Sequence, residues 1–175
     1  TEMNCIMCGL CVSDCTILEV DNTFIGPAAL AKASRFVYDP RDDQTEERLN
    51  FLNDEQGGIW DCTRCMQCVE VCPKGVSPMD RIMDLRETAI EIGAKKTHGY
   101  DHTNSFEKSV TAHGRLDESR LAFESAGIFN IPRLLDLIPV GLRALIKGKL
   151  PPIFPHKAED NKKIKELAKK IKEME

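Results

Sequence analysis

The chain has 175 residues, a formal net charge of −4, 30% charged residues and 6% aromatic ones, with a single Trp. That length holds one domain with a modest extension, and an acidic balance without a basic, aromatic-studded stripe argues against nucleic acid as a partner. No apolar run approaches the roughly 20 residues needed to span a bilayer, so the chain is expected to be soluble or held at a membrane by other proteins.

From the N-terminus, the first pattern is Cys5, Cys8, Cys11 and Cys15, spaced Cys-x2-Cys-x2-Cys-x3-Cys. The abrupt start at Thr1, directly before this run, is expected to mark a trimmed polypeptide or a missing N-terminal domain. Residues 16–24 are short and mixed, and Gly26-Pro27 closes them. Pro27 suits the first position of a helix over 28–37, which Pro40 forbids from continuing. Leu30, Ser34 and Val37 share one face of it. A second helix is expected over 45–52, and Gly57-Gly58 breaks the chain before a second run, Cys62, Cys65, Cys68 and Cys72, with the same spacing as the first.

Pro73 stops the ligand segment. Ser77 is expected to cap a helix that has Pro78 at its first position and Asp80 three residues after the cap. Met79, Ile82, Met83, Arg86 and Ile90 trace its packing face, and Gly93 ends it. Methionines at this spacing read as core rather than ligands. His98, His102 and His113 lie in a polar stretch, and their spacing, read as irregular, predicts exposed or packing histidines rather than a metal site. Residues 131–146 are the most apolar part, broken by Pro132, Pro139 and Gly141 and carrying Arg133, Asp136 and Arg143. They suit docking on a partner subunit or lying on a membrane surface. A hinge of Pro151, Pro152 and Pro155 precedes residues 157–175, where Ile164, Leu167, Ala168 and Ile171 form a narrow stripe on a charged helix. Such a helix is a solubilising terminus or a clip onto a neighbour. With hardly any alternating pattern, the predicted fold is mostly α.

The cysteine arithmetic carries the chemistry. Two cubane clusters need eight thiolates, and all eight cysteines fall within the two runs. Three cysteines two residues apart wrap one cluster on a tight loop, and the fourth, about 6 Å further along a helical turn, points at the other cluster. The predicted ligand sets are therefore crossed: Cys5, Cys8, Cys11 and Cys72 for one 4Fe-4S cluster, Cys62, Cys65, Cys68 and Cys15 for the second. Structural zinc fits paired Cys-x2-Cys only if each run closes on itself or trades ligands, which would make the chain a metal-stabilised interaction module. A disulfide framework belongs to short secreted chains, and no secretory leader is recognisable.

Further landmarks lie between the runs: Phe24-Ile-Gly-Pro-Ala-Ala-Leu30, Arg35-Phe36, Asp39-Pro-Arg-Asp42, Arg48-Leu49 and Cys68-Val-Glu-Val-Cys-Pro-Lys-Gly75. In order, they make the region from about Met3 to Ile92 resemble the C-terminal half of succinate dehydrogenase and fumarate reductase iron–sulfur subunits. The resemblance implies an α-helical ferredoxin domain over 1–95, a helical extension for partner docking over 96–175, and a 2Fe-2S cluster in a preceding domain. It implies electron relay between a flavoprotein subunit and a membrane-associated quinone- or thiol-reactive subunit, with no substrate site of its own. The place it implies is peripheral, on the cytoplasmic face of the inner membrane, or alternatively the periplasmic face.

Three positions depart from the family pattern. Cys65 stands where many members carry an apolar residue and hold a 3Fe-4S cluster. Thr63 and Val20 replace a His and a Trp near quinone, and Thr16 replaces Pro after the fourth cysteine. The full set of eight cysteines looks more like methylmenaquinol or thiol-linked fumarate reductases, and is also similar to the small iron–sulfur subunit of heterodisulfide reductases.

Overall fold

The computed structural model describes residues 2–53, 56–93, 97–127, 130–150 and 157–174. Among these residues the chain folds into helices, turns and loops with no strand, as its lack of apolar alternation predicts. It divides into two compact units, Thr1–Thr97 and His98–Glu175. The expected boundary between 95 and 96 and the proline hinge at Pro151, Pro152 and Pro155 lie outside the described residues.

The first unit contains α1 (Leu10–Ser13), α2 (Thr16–Val20), α3 (Pro27–Val37), α4 (Thr45–Leu52), α5 (Gln67–Glu70) and α6 (Pro78–Glu91). In α3, Pro27 supplies a fixed φ and lacks only an N–H that the first turn would leave unused. Its buried stripe includes Leu30, Ser34 and Val37 as expected, together with Pro27 and Ala31. The stripe packs on α6, where Ile82 and Leu85 are fully buried. Each such side chain contributes about 1.5–3 kcal/mol through the apolar surface it removes from water.

Two expectations for α6 need correction. Its covered stripe is Ile82, Leu85, Arg86 and Ala89, so Met79, Met83 and Ile90 stand at its margins, half-buried. Ser77 does occupy the cap position, but its backbone is left-handed, with φ 52 and ψ 63, and its side chain makes no capping hydrogen bond. The cause is local: residues 74–77 curl so that their backbone N–H groups face the sulfur of Cys72, and that curl carries Ser77 out of capping geometry.

Gly57 holds the approach to the second cysteine run. Its φ is 82, its carbonyl accepts the N–H of Ile25 at 3.0 Å, and its N–H donates to Asp61 Oδ2 at 2.6 Å. A Cβ here would stand 2.3 Å from the backbone carbonyl oxygen of Thr23. Gly57→Ala combines this clash with a left-handed backbone, so it is expected to destabilise the unit by about 2–4 kcal/mol, read as a lowered thermal midpoint.

The second unit contains α7 (His98–His113), α8 (Glu118–Ala126), α9 (Ile131–Ile146) and α10 (Asn161–Lys172). The buried residues of α7 and α8 are small: Ser105 and Ser109 on one helix, Ser125 and Ala126 on the other. Ser109 Oγ accepts the Asp117 N–H at 2.6 Å, and Asp117 caps α8 by accepting the Arg120 N–H at 3.1 Å. His98 and His102 are one helical turn apart with rings stacked at 6.5 Å, which corrects the reading of their spacing as irregular. His102 Nδ1 lies 3.0 Å from Ser125 Oγ and ties α7 to α8. The stretch 131–146 is not broken. Pro132 sits in the first turn of α9, and Pro139 inside the helix removes one backbone hydrogen bond without ending it.

Candidate metal centre

The two cysteine loops repeat one another in backbone as well as in spacing. The residues before and after the second cysteine are left-handed in both: Met7 (φ 60) and Gly9 (φ 79) in the first loop, Arg64 (φ 59) and Met66 (φ 69) in the second. Gly9 then opens α1 and Met66 opens α5, each carbonyl accepting from the residues three and four further on. Side-chain chemistry differs at these four positions, so the shared conformation follows from the placing of the cysteines. Two left-handed reversals bring the first three thiols of each run onto one cavity.

The first cavity measures about 240 Å³ and is lined by Cys5, Cys8, Cys11 and Cys72, with apolar walls from Leu10, Ala31 and Val76 among others. The second is lined by Cys15, Cys62, Cys65 and Cys68, with Phe24, Met79 and Ile82 behind them. Each run thus sends its fourth cysteine to the cavity of the other. The short helices α1 and α5, which carry Cys11 and Cys68, pack against each other. All eight thiols are free of disulfides.

The donor sets suit iron–sulfur clusters: four thiols ring each cavity, while among the described residues no three His, Cys, Asp or Glu side chains converge as they do around a single ion. Room differs between the two. The second cavity measures about 20 Å³, and the Cys65 thiol on its rim is exposed. That thiol accepts a hydrogen bond from Thr16 Oγ1 at 3.6 Å.

Burial and crowding set the thiol chemistry. Burial pushes the Cys11 thiol up, and the neighbouring sulfurs of Cys72, Cys5 and Cys8 push the same way. Burial likewise raises Cys68 to about 11, with the Cys62 sulfur adding to it. Cys72 goes the other way. Burial opposes its ionisation, but backbone N–H groups of Val76, Lys74, Gly75 and Ser77 together bring it below its ordinary value. Thiolates at Cys11 and Cys68 need a cation to pay for them, so metal loading there releases protons.

Arg86 organises the second loop from beneath. Its guanidinium is buried, donating from Nε to the Ile59 carbonyl at 2.8 Å and from an Nη to the Cys62 carbonyl at 2.7 Å, and it lies 5.0 Å from the Trp60 ring centre. Trp60 Nε1 in turn donates to Asn53 Oδ1 at 2.6 Å. Sequence reading placed Arg86 on a packing face and treated Thr16 only as a departure from a family pattern. A charged residue on the apolar side of a helix was the signal for the first; the second needed the fold, which brings residues 16 and 65 together.

Residues 3–76 match a family described as a 4Fe-4S dicluster domain. That match covers 74 of the chain's 175 residues. The chain is also similar to longer curated proteins. The 8-methylmenaquinol:fumarate reductase iron-sulfur subunit of Wolinella succinogenes is 31% identical over 134 residues, covering 75% of this chain and 41% of that protein. A fumarate reductase iron-sulfur subunit of Escherichia coli is 47% identical over 74 residues, 42% of this chain and 30% of that protein. A mitochondrial succinate dehydrogenase iron-sulfur subunit of Oryza sativa is 35% identical over 88 residues, 50% of this chain and 31% of that protein. The chain therefore spans less than half the length of these relatives.

Proposed function

We propose that the chain holds two 4Fe-4S clusters, one on Cys5, Cys8, Cys11 and Cys72 and one on Cys15, Cys62, Cys65 and Cys68, and relays electrons within a succinate dehydrogenase or fumarate reductase type complex. The observation that carries this reading is the pair of four-cysteine cavities, each completed by the other run. Bound clusters supply one-electron transfer. The protein's part is to fix the thiols, exclude water with apolar walls and offer hydrogen bonds to sulfur. The Cys11 and Cys68 helices, packed against each other, favour passage from one site to the other.

In this reading a flavoprotein subunit lies on one side of the relay and a membrane-associated quinone- or thiol-reactive subunit on the other, at the cytoplasmic face of the inner membrane. In the same reading a 2Fe-2S domain would complete the relay towards the flavin. Anaerobic isolation tests the core of the proposal. About eight iron atoms per chain and a brown colour bleached by dithionite are expected; a colourless protein carrying zinc would overturn it and leave a metal-stabilised interaction module.

Thr16 gives a finer test. Its hydroxyl donates to Cys65 Sγ, and a hydrogen bond to a ligand sulfur stabilises the reduced, more negative state. Thr16→Val removes about 0.5–1.5 kcal/mol of that preference, so the potential of the second site should fall by about 20–60 mV in a redox titration while the first stays put.

A further inference from the structure

The second unit carries an apolar face that its own fold does not cover. None of the residues of α9 is buried, and Ile131, Leu135, Ile138, Leu142, Leu145 and Ile146 are each between 55 and 77% exposed. At 3.6 residues per turn these six fall within a sector of about 100°. Arg133, Asp136 and Arg143, with the exposed Val140 among them, occupy the opposite side of the same helix, and Lys147 caps its end.

Charge is distributed to match. Residues 131–175 hold eleven Lys and Arg against six Asp and Glu, while residues 1–130 hold thirteen against twenty-two. An acidic protein thus ends in a basic segment, and that segment contains its most exposed apolar helix. In α10, Lys162, Lys163, Lys165, Lys169 and Lys170 accompany Leu167 and Ile171, both more than half exposed.

We propose that α9 lies flat in the headgroup layer of an anionic lipid bilayer, its apolar face towards the acyl chains and its cations, with those of α10, among the lipid phosphates. A surface both apolar and anionic is what this combination fits. Sixteen residues make a helix about 24 Å long, short of the roughly 30 Å hydrocarbon core, and its charges keep it from crossing. Among the described residues no helix is long and apolar enough to span a membrane.

The inference deepens the membrane-side placement proposed above. Its test reads lipid binding, which proceeds without electron transfer, so its failure leaves the cluster reading standing. The full chain is floated with vesicles of phosphatidylcholine alone or with about one-third phosphatidylglycerol. Binding is expected to the anionic vesicles, and to weaken at least tenfold on neutral ones or at about 0.5 M salt, where screening shortens electrostatic reach to roughly 4 Å. The double variant I138E/L142E should lose at least tenfold in vesicle affinity with unchanged helix content and thermal midpoint, because both side chains are exposed. Lys169→Glu with Lys170→Glu should weaken binding to anionic vesicles only. Equal binding by I138E/L142E, or no flotation of the wild type, overturns the proposal. So does a wild-type dimer in light scattering that I138E/L142E abolishes, which would give the face to a second copy.

Discussion

Arg86→Leu is expected to lower the stability of the cysteine-bearing unit by about 2–4 kcal/mol and to empty the second metal site before the first. Two effects compete. Leucine removes a buried charge, whose desolvation already holds the Arg86 pKa down at about 10, and relieving a buried charge by an apolar residue is often neutral or favourable. Against this, the Ile59 and Cys62 carbonyls both lose their donor, and each unpaired buried acceptor costs about 1–3 kcal/mol. Loss of the stacked cation over Trp60 and a smaller side chain in a packed core add to the cost. The second effect wins because two acceptors are stranded for one charge relieved. Lysine cannot span both carbonyls with a planar fork, so Arg86→Lys should recover only part of the loss. The check is thermal unfolding beside iron content: a variant with an unchanged midpoint and a full complement of iron would show that the guanidinium does not hold the second loop.

Cys65→Ser should convert the second site into a three-iron centre. A cubane needs a ligand at each of its four irons, and the serine hydroxyl is a poor substitute for a thiolate at neutral pH. The iron that Cys65 holds then becomes labile. The oxidised variant is expected to give the paramagnetic signal of a 3Fe-4S cluster that the oxidised wild type lacks, with iron falling from about eight to about seven per chain. A wild type that already shows this signal stoichiometrically under careful anaerobic handling would remove Cys65 from the ligand set. Thr16, placed against Cys65, makes the position more than a lone thiol: the departure from proline at 16 and the presence of cysteine at 65 meet in one hydrogen bond.

How much of this was legible in the sequence depended on which force shapes each element. The helices over 28–37 and 45–52 match α3 and α4 because their starts, stops and apolar faces are local signals. The two cysteine runs were equally plain, since ligand spacing is written directly in residue numbers. Leu85 and Ala89 escaped the face assigned to α6 because the methionines at 79 and 83 are as apolar as the residues that lie deeper. The α7–α8 pair left no periodic trace, as serines and one alanine line its contact and binary patterning finds no large apolar residues there. Arg86 and Thr16 act on partners more than twenty residues away, and no local pattern announces such contacts.

The matching left-handed residues of the two loops conceal an inequality. One of the pair in the first loop is glycine, which adopts that backbone freely, while both in the second, Arg64 and Met66, carry side chains. Each such residue costs about 1–2 kcal/mol. The second loop therefore carries one more strained residue than the first, and relaxing it favours local opening of that loop by about five- to thirty-fold. In hydrogen exchange the second loop is therefore expected to lose its protection before the first.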